Sequence, residues 1–121
     1  MQTVTLWLGN FQSAEDLKKY LYVGYTDDGD SIDSNFEKDF HLGFYDRYLI
    51  ESDWIENKEV ALSVLLDGFS YDNQIIQQFL ETGREYNTII LIYDYSYDKR
   101  ILRKETDNFF LELIGTASYE V

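Results

Sequence analysis

The strongest strand signal in the chain is Tyr86-Asn87-Thr88-Ile89-Ile90-Leu91-Ile92-Tyr93-Asp94-Tyr95-Ser96-Tyr97-Asp98. Its first half is an unbroken apolar run, rich in β-branched residues and bounded by polar ones. A run that short and that apolar predicts a strand covered on both faces. From Tyr93 the pattern changes, with tyrosine at every second position and Asp94, Ser96 and Asp98 between. On a continuous strand, period two would set Tyr93, Tyr95 and Tyr97 on one face and the acids on the other. The stretch therefore reads as a core strand that emerges as a tyrosine-and-aspartate surface.

The remaining elements are read around that strand. Thr3 to Gly9 is β-branched and aromatic and predicts a first strand, closed by Gly9 and Asn10. Ser13 is a candidate N-cap for a helix with Glu15 and Asp16 in its first turn. Leu17, Tyr20 and Leu21 lie on one face of it, and Gly24 or Tyr25 is the expected end. Ser34 caps a short helix through Phe36 and Phe40, whose i, i+4 spacing makes a buried edge under a charged face. Tyr48 to Ile55 predicts a second strand, and Glu59 to Leu66 favours helix over strand. Ser70 resembles another N-cap, followed by an apolar stripe of Ile75, Ile76, Phe79 and Leu80 and by Gly83 in the C′ position. This is the clearest helix signal. After a basic loop at Lys99-Arg100 and Arg103-Lys104, Asn108 to Gly115 predicts a last strand paired with the central one. With no linker, repeat or low-complexity tract, residues 1–121 read as one α+β domain, with a mixed or antiparallel sheet of about four strands and helices packed on it.

Charge narrows the partners. The formal net charge is −13, yet 17% of residues are aromatic, so this is not the aromatic-poor acidic chain that stays disordered. The acidity is uneven. Residues 26–40 hold Asp27, Asp28, Asp30, Asp33, Glu37 and Asp39 against Lys38, a local −5, whereas residues 1–25 balance to zero. A phosphate backbone would be repelled, so nucleic acid is excluded as the expected partner and a basic protein favoured. The absence of cysteine removes disulfides, thiolate chemistry and cysteine-based zinc sites. No signal-peptide pattern and no membrane-length apolar run is present, which predicts a cytoplasmic protein without membrane contact.

Asp27-Asp28-Gly29-Asp30-Ser31-Ile32-Asp33 resembles a calcium loop but fails its pattern. Counted from Asp28, Ile32 takes position five, Asp33 replaces the glycine at six, and Asp39 stands at twelve instead of glutamate. A solvated acidic loop is the plainer reading. His41 is the single histidine, and no serine-nucleophile, phosphate-cradle or metal-ligand motif accompanies it. No catalytic residue, metal or cofactor is therefore expected. Eleven tyrosines exceed what a core of this size needs. Tyrosine beside aspartate suits a protein interface, giving rigid amphipathic area with steering charge. The expected partner-binding residues are Asp27, Asp28, Asp30, Asp33, Glu37, Asp39, Tyr45, Tyr93, Tyr95 and Tyr97. A cation-binding protein or enzyme using the Asp27–Asp33 loop, and an acidic interaction adaptor, are the alternatives.

Leu6-Trp7-Leu8-Gly9, Asp28-Gly29-Asp30-Ser31, Gly68-Phe69-Ser70-Tyr71, Tyr86-Asn87 leading into Ile92-Tyr93-Asp94-Tyr95, and Ile114-Gly115 together resemble the immunity protein 22 family of bacterial polymorphic toxin systems. The resemblance spans nearly the whole chain. It implies a small cytoplasmic protein, encoded beside a toxin that it binds and neutralises, and it brings no catalytic residues.

Overall fold

A computed structural model describes residues 1–98 and 100–121. Among them, seven strands and four helices form a five-stranded antiparallel sheet, a two-stranded hairpin and helices on both sheet faces. In chain order these are β1 (Gln2–Phe11), α1 (Ala14–Tyr20), β2 (Gly24–Tyr25), β3 (Ser31–Ile32), α2 (Asn35–Asp39), β4 (Ile50–Glu59), α3 (Leu62–Leu65), α4 (Asp72–Ile76), β5 (Tyr86–Tyr93), β6 (Arg103–Glu105) and β7 (Phe109–Tyr119). The α+β class with an antiparallel sheet agrees with the sequence reading; the main sheet has five strands where about four were expected.

The sheet order is β4-β5-β1-β7-β6. β5 is buried along its whole length, as its apolar run requires. Ile89, Leu91 and Tyr93 face one cluster with Leu62, Leu65 and Ile75, while Ile90 and Ile92 face another with Leu17, Phe36 and Phe40. Burying four aliphatic side chains at ~1.5–3 kcal/mol each gives one strand a share comparable with a domain's whole net stability. β1 takes the central place because it is apolar on both faces too: Val4, Leu6 and Leu8 face the first cluster, Trp7 and Phe11 the second. Trp7 is fully buried, with the Phe36 ring edge-on at 5.0 Å.

Several expectations are corrected. β7 pairs with β1 and β6 and not with β5, since β1 lies between. Gly9 does not close β1. It pairs with Leu111, and a Cβ there would overlap the Phe110 carbonyl oxygen and lie 2.8 Å from Leu111 Cα. Glycine permits that close approach. Opposite Leu6 and Trp7 the β7 register slips at Gly115, leaving Ile114 as the extra residue of a bulge. α1 is capped by Ser13, whose Oγ accepts from Asp16 N–H at 3.1 Å, but it ends at Tyr20; Gly24 and Tyr25 instead pair with Ile32 and Ser31.

The clearest helix signal gives a helix of only five residues. α4 covers only Asp72–Ile76, Tyr71 precedes it in the left-handed region (φ 60°), and Leu80 is exposed. Ser70 is no cap, because its N–H and Oγ both donate to Glu51, at 3.0 and 2.6 Å. Helical structure in Glu59–Leu66 is confined to Leu62–Leu65, and the second strand starts at Ile50 after a 3-10 turn at Arg47–Leu49. Of the expected basic loop, Lys99 lies outside the described residues, Arg100 pairs with Asp98 at 2.8 Å, and Arg103 and Lys104 belong to β6.

Candidate functional site

The chain from Ser31 to Tyr48 builds an open cleft of about 960 Å³ beside the end of β5. Its walls come from the β2–β3 hairpin, the start of α2, the loop 42–48 and Asp94. Two smaller grooves adjoin it, about 530 Å³ against α1 and β4 and about 330 Å³ toward Tyr71 and Tyr119, and Tyr48 lines all three.

Glu37 sets this geometry. Ser34 and Glu37 form a reciprocal capping box, with Ser34 N–H donating to Glu37 Oε1 at 2.7 Å and Glu37 N–H to Ser34 Oγ at 3.1 Å. The same carboxylate then accepts from Arg47 Nε (2.7 Å), Arg47 Nη2 (3.1 Å) and the Tyr45 hydroxyl (2.6 Å). Every lone-pair site of a nearly buried carboxylate is thereby occupied. Burial would raise the Glu37 pKa, but the hydrogen bonds from Arg47, Tyr45 and Ser34 outweigh it and hold the carboxyl below its ordinary value. Burial, reinforced by Glu37, pushes the Tyr45 hydroxyl well up, and the hydrogen bond to Glu37 raises Arg47. Arg47 also reaches Asp33 at 3.2 Å. The loop 42–48 is thus fastened to α2 at its C-terminal half.

What the loop presents is aromatic. Phe44 is 98% exposed and Tyr48 97%, and Tyr22 and Tyr25 across the α1-side groove are 70% and 67% exposed. Large side chains held in water this way are an interface signal when they sit together. Around them, Asp33, Glu37, Asp46 and Asp94 face the cleft against Arg47 alone, four negative charges to one positive, a net of −3. The tip of the β2–β3 hairpin adds Asp27, Asp28 and Asp30, all exposed and none in an ion pair among the described residues. That tip is closed by Thr26 N–H to Asp30 O (2.8 Å) and by Gly29 at φ 89°, a backbone that suits glycine.

The structure brings only some of the sequence-expected residues here. Asp33, Glu37 and Tyr45 line the cleft, and Tyr95 packs behind Tyr45 with ring centroids 5.7 Å apart. Asp39 instead accepts from the Tyr20 hydroxyl at 2.9 Å and lies 3.9 Å from Lys104. Tyr93 and Tyr97 are buried, their hydroxyls donating to the Ser70 and Phe40 carbonyls. The shared tyrosine face is lost because Asp94 adopts φ 56° and ends the strand alternation. Tyr93 belongs to one core cluster, while Tyr95 and Tyr97 join the other. The residues that sequence reasoning passed over are Phe44 and Tyr48, with Tyr22 and Tyr25. Their signal was density: Phe44, Tyr45 and Tyr48 crowd a segment with neither strand nor helix period.

Among the described residues, no group of three or more His, Asp or Glu side chains is arranged to hold a metal ion. His41 is exposed, in the left-handed region at φ 51°. No described helix is long and apolar enough to cross a membrane. No curated protein and no solved structure matches the chain significantly. The family model described as Immunity protein 22 matches residues 4–120, a span that takes in the cleft, its loop and both sheet faces. The chain belongs to the Immunity protein 22 family.

Proposed function

We propose that the protein neutralises a cognate bacterial toxin by stoichiometric occlusion, docking the cleft face onto it, and that the toxin surface it covers is basic. Family membership supports the immunity function. The observation that carries the docking face is the pairing of Phe44 and Tyr48, almost fully exposed, with a loop base fixed by Glu37 and Arg47. A pre-ordered loop loses little conformational freedom on binding, so its aromatic area is available for affinity. Asp27, Asp28 and Asp30 steer the encounter. Asp33, Asp46 and Asp94 meet cationic groups of the toxin inside the interface, and Tyr45 and Tyr95 brace the loop from behind. Tyr93, Tyr97 and Asp39 support this face from within the fold. The protein acts as a binder, without catalysis and without a bound metal, in the cytoplasm of the cell that makes the toxin.

The test is titration of the toxin encoded beside it. Occlusion predicts a one-to-one complex and toxin activity that falls linearly to zero at equimolar protein. Phe44→Ala and Tyr48→Ala are expected to raise the dissociation rate with little change in association. Full protection at a small fraction of equimolar protein would contradict occlusion and favour an enzyme.

A further inference from the structure

The two edges of the five-stranded sheet are treated differently. On one side, β6 and Leu102 engage β7 from Phe110 to Leu113. Beyond β6, two glutamines of the α4 region close the same edge. Gln78 accepts from Ser118 N–H at 2.9 Å and donates to Ser118 O at 2.6 Å. Gln74 does the same for Glu120, at 2.8 and 3.0 Å. Residues two apart on a strand point their N–H and C=O to the same side, so each side-chain amide stands in for the backbone of an absent strand.

β4, at the opposite edge, has no such cover. It pairs with β5 in unbroken register from Ile50 to Trp54. Trp54 N–H donates to the carboxylate of Asp53 at 2.9 Å, so it points away from β5, and by the strand period Ile50 and Ser52 point the same way. Among the described residues, no side chain and no backbone group of another element bonds Ile50 or Ser52 from that side. An unpaired edge is a template for another strand, which proteins usually blunt. Here the blunting is by charge: β4 carries Glu51, Asp53, Glu56 and Glu59 against Lys58, a net of −3. A second copy of the same edge would be repelled. A cationic strand would be attracted.

We infer that the β4 edge at Ile50 and Ser52 adds an extended strand of the toxin, in which apolar side chains alternate with Lys or Arg. The alternation follows from the two faces of β4. Ile50 and Ser52 border the groove of about 530 Å³, walled by Leu21, Tyr22, Tyr25 and Tyr48, which takes every second, apolar side chain. Glu51 and Asp53 lie on the opposite face and meet the intervening cations. The added strand gains backbone hydrogen bonds from the edge and selectivity from the groove.

This inference rests on the docking reading above, and the experiment separates the two. Residue-resolved amide exchange is measured on the wild-type protein, free and mixed with the adjacent-gene toxin, and binding is compared with Ser52→Pro. Proline at an outward-facing edge position removes only the outer donor, so the fold is expected to persist. The expected result is protection of the Ile50 and Ser52 amides in the complex only, with binding weakened about tenfold or more by Ser52→Pro. If the complex forms but those amides exchange as in the free protein, strand addition is overturned and the docking face stands. Protection in the free protein that grows with concentration would assign the edge to a second copy and overturn it equally. Absence of any complex would overturn the docking reading and the inference with it.

Discussion

Glu37 is the residue on which the candidate site most depends, because one carboxylate joins a helix start to a loop. Replacing it by Gln removes the charge but keeps the shape, leaving Arg47 facing an amide. Breaking a buried ion pair from one side costs ~3–5 kcal/mol. Arg47 is about one-third exposed and regains some hydration, so Glu37→Gln should lose about 2–3 kcal/mol in urea or thermal melts at neutral pH. The pH dependence has a definite sign. The folded-state pKa is lowered, so the stabilisation is complete above the unfolded glutamate value of ~4.3 and fades as pH falls from there through the folded value. The gap between wild type and Glu37→Gln should therefore narrow on acidification below that point. A gap that widened would contradict the assignment. Gly9 makes the same point by sterics. Gly9→Ala should cost about 3 kcal/mol or more, because the added methyl meets β7 backbone that cannot move without breaking its pairing; an unchanged melting temperature would show that β1 and β7 are not so close.

At the level of elements, legibility followed the range of the forces involved. β5 and β1 were readable because a continuous apolar run states its own burial, and α2 was readable because Ser34, Glu37, Phe36 and Phe40 are all local to it. The helix after Ser70 was overread because its determinants are distant. Glu51, nineteen residues away, takes both donors of Ser70, and Ser118 and Glu120 take the amides of Gln78 and Gln74. Nothing in residues 70–83 announces those partners. Likewise the face shared by three tyrosines depended on an unbroken strand, whereas after the left-handed Asp94 the chain is held by distant partners, Tyr95 N–H donating to Thr3 O and Thr5 Oγ1 to Tyr95 O. Replacing both glutamines by Ala should lower stability by ~1–3 kcal/mol through two lost amide pairs, and should speed amide exchange at Ser118 and Glu120. If those amides stay as slow as in wild type, the glutamines do not seal the edge.

Across the whole molecule, the most concentrated part of the −13 charge opposes the fold, and in the proposed docking its role is to steer the partner. Asp27, Asp28 and Asp30 repel one another at an exposed hairpin tip and neutralise no described cation, so they add nothing to stability. Asp33 differs, since it holds Arg47, and a neutralised variant should leave it in place. Asp27→Asn, Asp28→Asn and Asp30→Asn together should leave the melting temperature unchanged or slightly raised. The proposed docking face joins the hairpin, the exposed aromatics of the loop and the open β4 edge, which meet at the groove lined by Tyr25, Tyr48, Ile50 and Ser52. The most direct measurement is the association rate of wild type and of this triple variant with the adjacent-gene toxin, taken at low and at physiological salt. Steering by the hairpin predicts association slowed by about an order of magnitude at low salt, a smaller difference as screening rises, and a dissociation rate nearly unchanged. Equal association rates at low salt would contradict it.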